Sequence, residues 1–131
     1  MNDLDIGIEH RNARLEGTRA FLDAGPAAAC LQIFGNDRPA FGQDAGTAPL
    51  AVLVLAKPSG VTIDGVLTLA APDEALILVE GVARWARLLT GAGVIAADCN
   101  VSLSTGTAPV RLSRLELHRG GTTRLLLGVL R

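Results

Sequence analysis

Val82-Ala-Arg-Trp-Ala-Arg-Leu-Leu-Thr90, Gly91-Ala-Gly93 and Val94-Ile-Ala-Ala-Asp-Cys-Asn-Val101 follow one another without a break. Two apolar and β-branched runs of strand length flank a short glycine-containing interruption, and that pattern predicts a β-hairpin. The hairpin carries the only tryptophan, Trp85, with Arg87 on the same strand face and Asp98 on the facing strand. In the structural reading, Trp85 fills the core while Arg87 closes its edge by stacking on the ring or pairing with Asp98. The alternative is a ligand platform built from the indole and the guanidinium.

The rest of the chain repeats the hairpin's style. Strand-length segments are expected at Ala29–Phe34, Pro49–Ala56, Val61–Ile63, Val66–Ala70, Leu76–Val79, Val110–His118 and Thr123–Leu130. Turn chemistry separates them: Gly35-Asn36-Asp37, Lys57-Pro-Ser-Gly60, Asp64-Gly65, and Arg119-Gly-Gly121. Asp64-Gly65 fits a two-residue hairpin turn. Pro49–Ala56 has no polar interruption and reads as a strand buried on both faces. Val110–His118 alternates, but neither face is purely apolar, so it is expected to change environment along its length. Residues 35–48, rich in Gly, Pro, Asp and Ala with Phe41 as the one large apolar side chain, read as a loop. The fold class is mainly β: an antiparallel sandwich or barrel of about eight strands.

Residues 8–24 have a different period. Ile8, Leu15 and Leu22 recur every seven positions among charged neighbours, the spacing of a helix face, and Gly25-Pro26 stops it. Gly17 weakens the helix at its middle. The expected organisation is a helical segment over 1–26 and a β-sandwich over 27–131.

At 131 residues the chain is long enough to bury a core without disulfides or a metal. It is 49% hydrophobic but holds three Phe, one Trp and no Tyr, so the core is aliphatic. A net charge of −1 with scattered basic residues argues against a nucleic-acid partner. Arg outnumbers Lys eleven to one, with Lys57 alone, a bias that accompanies Ala and Gly in GC-rich bacterial or phage coding sequence. Cys30 and Cys99 are expected as reduced, buried thiols. Met1-Asn-Asp-Leu-Asp5 has no apolar run after it, and Ala48–Ala56 is too short to span a bilayer, so a cytoplasmic protein without a membrane partner is expected.

No catalytic constellation emerges. Asp73-Glu74 lacks the spacing of a calcium loop, Gly91-Ala-Gly93 lacks the Lys-Ser/Thr and helix of a phosphate loop, and no Cys/His spacing suits zinc. His118 with Glu116, two residues earlier on the same strand face, is the one acid–base pair a hydrolase could use; a surface charge pair is the plainer reading. The expectation is no catalytic, cofactor or metal residue. The candidate interface residues are Ile8, Leu15 and Leu22 on the helix and Leu125, Leu127 and Val129 on the last strand, which reads as an apolar sheet edge.

Leu31-Gln-Ile-Phe-Gly35 with Pro39, Pro49–Ala56, Gly81-Val-Ala-Arg-Trp-Ala-Arg-Leu-Leu89, Asp98-Cys-Asn-Val101 and Val110–Leu117 stand in a definite order. That order resembles a group of small bacteriophage and prophage proteins encoded among virion genes. Ala86 stands where the group has an aromatic residue and Cys99 where it has Gly, and Thr122–Arg131 extends past the usual end. The resemblance implies a virion-associated β-sandwich without known activity, made in the host cytoplasm, and supplies no catalytic residues. The function expected is therefore a non-enzymatic structural protein that forms a homo-oligomer, a dimer by base rate, and joins other virion proteins. A small ligand- or carbohydrate-binding sandwich is the alternative, with a hydrolase behind it.

Overall fold

The computed structural model describes residues 4–131; Met1–Asp3, on which the leader reading partly rests, lie outside the described residues. Chain order is α1 (Ile8–Asp23), β1 (Cys30–Phe34), β2 (Ala51–Val54), β3 (Gly60–Ile63), β4 (Val66–Leu69), β5 (Ala75–Leu76) and β6 (Gly81–Val82). There follow β7 (Trp85–Leu89), β8 (Ile95–Leu103), β9 (Val110–Leu112), β10 (Glu116–Leu117), β11 (Thr122–Thr123) and β12 (Leu125–Leu130). Eight strands form one sheet in the order β2-β1-β7-β8-β9-β12-β4-β3, curled into a half-barrel, and the short pairs β10-β6 and β11-β5 lie apart from it.

Local chemistry accounts for the tight connections. Asp64 (φ 51°) and Gly65 (φ 76°) both adopt the left-handed region, as a two-residue turn of the primed type requires, and close β3 onto β4. β7 and β8 pair antiparallel, with Trp85 opposite Asn100, Ala86 opposite Cys99 and Arg87 opposite Asp98. The Gly91–Gly93 turn between them is tied to the helix: Gly91 N–H donates to Leu22 O, and Ala27 N–H donates to Gly91 O. A Cβ on Gly91 would collide with the Ala27 carbonyl, so the close approach requires glycine.

Register sorts the side chains into two faces, because directly opposed residues point the same way. Leu31, Ile33, Leu53, Leu67, Leu88, Val110 and Leu112 point to the concave side and form the core. α1 lies across the β3–β4 end of that side. Leu15 and Leu22 enter the core, and Glu16 accepts from Thr62 Oγ1, Asn12 from Gly65 N–H and Asp23 from Ser59 N–H. Two of the three residues of the helical stripe, Leu15 and Leu22, are thus spent inside their own chain.

Four readings of the sequence are corrected. The sheet has one parallel pair, β8 with β9. A parallel neighbour usually needs a long crossover, but the paired stretch is only Val101–Leu103. Loop 104–109 returns the chain over that short distance, pinned by Gly106 N–H to Leu103 O and Ala108 N–H to Ser102 Oγ. Val110–His118 is broken at Ser113–Leu115, with β9 in the large sheet and β10 paired to β6. Pro49–Ala56 is not buried on both faces: β2 is an edge strand whose Val54 is 55% exposed. The last strand is not an edge; β12 lies between β9 and β4.

Candidate functional site

The convex side of β1, β7 and β8 carries the hairpin cluster. Trp85 is 1% exposed and stacks on Phe34, ring centroids 4.4 Å apart and planes 20° off parallel. Both residues belong to the face opposite the core, so burial there needs a second cover. Loop 35–48 supplies it. Trp85 Nε1 donates to Asn36 Oδ1 (3.0 Å), Asn36 Nδ2 donates to Ala45 O (2.7 Å), and Arg38 Nη1 donates to Asn100 Oδ1 (3.2 Å). Asn36 therefore clips the loop both to itself and to the indole.

Next along the strand, Arg87 and Asp98 form a two-point ion pair, Nε to Oδ1 at 2.8 Å and Nη2 to Oδ2 at 3.1 Å. Their side chains are 5% and 1% exposed. The guanidinium carbon lies 5.2 Å from the Trp85 ring centroid, in cation–π range. The hydrogen bond to Asp98 holds the Arg87 pKa above its ordinary value against the opposing effect of burial, and the charges of Asp98 and Asp44 add to it. Trp85 Nε1 and Arg87 Nε and Nη2 each have an acceptor, and at 1% exposure the indole leaves no face open to stack on a ligand. Trp85 and Arg87 therefore do not form an open platform, which removes the aromatic surface a sugar site would use.

A groove of about 710 Å³ runs beside the cluster, along β8 and loop 104–109, lined by Arg38, Asn100, Ser102 and Thr107 among others. Asp98 lies at its floor with both oxygens engaged by Arg87. Of its polar side chains, Arg38 donates to Asn100, and Ser102 Oγ donates to Leu103 O and accepts from Ala108 N–H.

His118 does not pair with Glu116. Its Nδ1 lies 3.6 Å from Glu80 Oε1, and the two side chains are 67% and 70% exposed. The break at Ser113–Leu115 brings Ser113, Glu116 and His118 to one shallow depression with Leu103, but no hydrogen bond between them is formed. Among the described residues no three His, Cys, Asp or Glu side chains converge as metal ligands. No helix among the described residues is long and apolar enough to cross a membrane.

The candidate interface residues separate. Leu15 and Leu22 are buried in the core and are not available to a partner. Ile8 is about half exposed at the start of α1, against the Gly65 turn. On β12, Leu125 packs toward the core, whereas Leu127 and Val129 point to the convex side. There they join Val61 and Ile63 of β3, which are 61% and 64% exposed. Val61 lies opposite Thr68, and Thr68 opposite Val129, so these side chains share one face. Val61 and Ile63 were missed as interface candidates because Val61–Ile63 reads as an ordinary strand. Cys30 and Cys99 are both free and partly buried; burial raises both thiol pKa values, that of Cys99 to about 11.

No family model, curated protein or solved structure matches this chain.

Proposed function

We propose that the protein is a non-enzymatic structural subunit that works by docking, first on a second copy of itself, within a phage or prophage virion. It is made in the host cytoplasm and then carried into the particle with other virion proteins as further partners. The observation that carries the reading is the convex face at the β3 end of the sheet. Val61 and Ile63 are exposed there on a strand that has a neighbour on one side only, and Val129 of β12 faces the same way across Thr68 of β4. Proteins that stay monomeric protect such an edge with charge, proline or a covering element. β3 reads Gly-Val-Thr-Ile, with no charge and no proline, and α1 packs on its concave side at Thr62 while leaving Val61 and Ile63 exposed on the convex side. A second copy fits because antiparallel pairing of two β3 strands about a twofold axis continues both sheets and joins the two apolar faces.

Light scattering at micromolar concentration tests this. A dimer is expected, and Val61→Lys with Ile63→Lys should give a monomer with an unchanged melting temperature. A wild-type monomer, or a dimer that survives both lysines, refutes the docking face. Removing residues 122–131 is no substitute, since β12 is interior to the sheet and its loss would unfold the chain. The virion setting is read from neighbouring genes: capsid, portal or tail genes support it, and metabolic genes count against it.

A further inference from the structure

The concave side of the half-barrel is not filled evenly. α1 plugs it at β3 and β4 with Leu15 and Leu22, while farther along β8 presents Ala97 and Cys99 in the inner row. Their cross-strand neighbours are Leu88 opposite Ala97 and Ala86 opposite Cys99, with Leu31 opposite Leu88 one strand further. Two consecutive short side chains on the inner row of the longest strand leave space that Leu or Ile would have taken. The result is a cavity of about 200 Å³ walled by Leu31, Leu69, Leu88, Ala97, Cys99 and Val110. The wall spans β1 to β4 because the sheet curls round it.

Native interiors pack at crystal density, and voids much larger than a water molecule are few. An apolar cavity of about 150 Å³ in another protein stays dry and admits benzene. Here the cavity is somewhat larger. The single charged residue at its wall, Asp98, has both carboxylate oxygens on Arg87, and the remaining side-chain heteroatom is a thiol that burial keeps neutral at ordinary pH. An ordered water needs two to four polar partners, and these side chains do not supply them. Ala97 and Cys99 are themselves only partly buried, which gives a small molecule a way in.

We propose that this cavity is a binding site for a small apolar molecule, a single aromatic ring or an alkyl chain of comparable volume. Charged ligands, and polar ones that cannot keep the polar group at the mouth beside Ala97 and Cys99, are excluded because nothing in the wall would replace their hydration.

The test uses the full chain with Cys30→Ser, so that Cys99 is the one reactive thiol. Toluene and hexan-1-ol are added separately up to their solubility. Expected are a melting temperature that rises with ligand concentration and alkylation of Cys99 by N-ethylmaleimide that slows at least threefold. A response to toluene alone identifies a ring site, and a response to hexan-1-ol alone an alkyl site. Ala97→Leu fills the cavity: it should melt at or above the parent temperature and lose both ligand effects. If Ala97→Leu fails to fold, Ala97→Val, which fills less, should reduce the protection of Cys99. The proposal is overturned if neither ligand raises the melting temperature or protects Cys99, or if the cavity-filling variant responds as the parent does.

Discussion

Asp98→Ala leaves the Arg87 guanidinium with no counter-ion in a site where its side chain is 5% exposed. Both hydrogen bonds, at 2.8 and 3.1 Å, are lost. Charge-assisted bonds are worth about 1.5–3 kcal/mol each, which puts the loss at about 3–6 kcal/mol, and breaking one side of a buried ion pair costs about 3–5 kcal/mol. The two routes agree on about 4 kcal/mol, a large part of the roughly 5–15 kcal/mol that holds a domain folded. Arg87→Met should cost a similar amount for the opposite reason, a carboxylate at 1% exposure without its cation. The double variant, Arg87→Met with Asp98→Leu, buries no charge. It loses the guanidinium–indole contact at 5.2 Å, about 1 kcal/mol, and regains part through a sulfur–aromatic contact. It should therefore fall within about 1.5 kcal/mol of wild type, an interaction energy of several kcal/mol between the sites. Urea unfolding at 25 °C, followed by the fluorescence of Trp85 and by circular dichroism, gives each value from the midpoint at constant slope. A cost under about 1 kcal/mol for Asp98→Ala would mean that water reaches the guanidinium and loop 35–48 does not close over it. A double variant that loses the sum of the two single losses would refute the coupling.

Trp85→Ala should cost about 3–5 kcal/mol, the range for a buried large aromatic, and Trp85→Phe about 1–2 kcal/mol, since stacking on Phe34 survives while the bond to Asn36 does not; urea unfolding read by circular dichroism checks both. Cys99 predicts an alkaline weakness. Its thiol binds a proton more tightly in the folded chain, with a pKa of about 11 against an ordinary 9.0, so its contribution is constant below pH 9 and is lost as pH rises to about 11. The loss is about 2.7 kcal/mol at most, and stability measured from pH 8 to 11 should fall further in wild type than in Cys99→Ala.

What the sequence made legible is what adjacent residues decide. The Asp64-Gly65 turn, the Gly91–Gly93 hairpin and the end of α1 at Gly25-Pro26 are each set by backbone chemistry within a few positions. The ion pair needs more than spacing: the register shifts between Leu88, opposite Ala97, and Leu89, opposite Ile95, and only that bulge sets Arg87 against Asp98. Strand order was not legible, because it depends on pairings between distant segments: nothing local in Leu125–Leu130 says that β9 and β4 flank it. The run Leu125-Leu-Leu127 suggested an edge strand with two apolar faces. A register shift between Leu125 and Leu127 instead sets Leu126 out of the alternation, 47% exposed, and lets its neighbours face opposite sides of an interior strand.

The cover over the hairpin has a signal in the sequence of β7. Along β7 the core-side residues Ala86 and Leu88 alternate with Trp85, Arg87 and Leu89, so the outer side sets an indole and a leucine around its one charge. A strand built that way needs cover on both sides, and the segment available is the loop that leaves β1 at Gly35. Asn36, the residue that anchors it, looked like turn punctuation. Phe41, the large apolar side chain in the loop, is 61% exposed and is no anchor. The order of dependence is then fixed: β7 and β8 set the positions of Trp85 and Asp98, Asn36 reads the indole, and the loop closes the Arg87–Asp98 pair from water. The cavity follows the same logic in reverse. Ala97 and Cys99 are unremarkable as small residues in a strand, and they become a space only when the curl of the sheet places Leu31 and Leu69 around them.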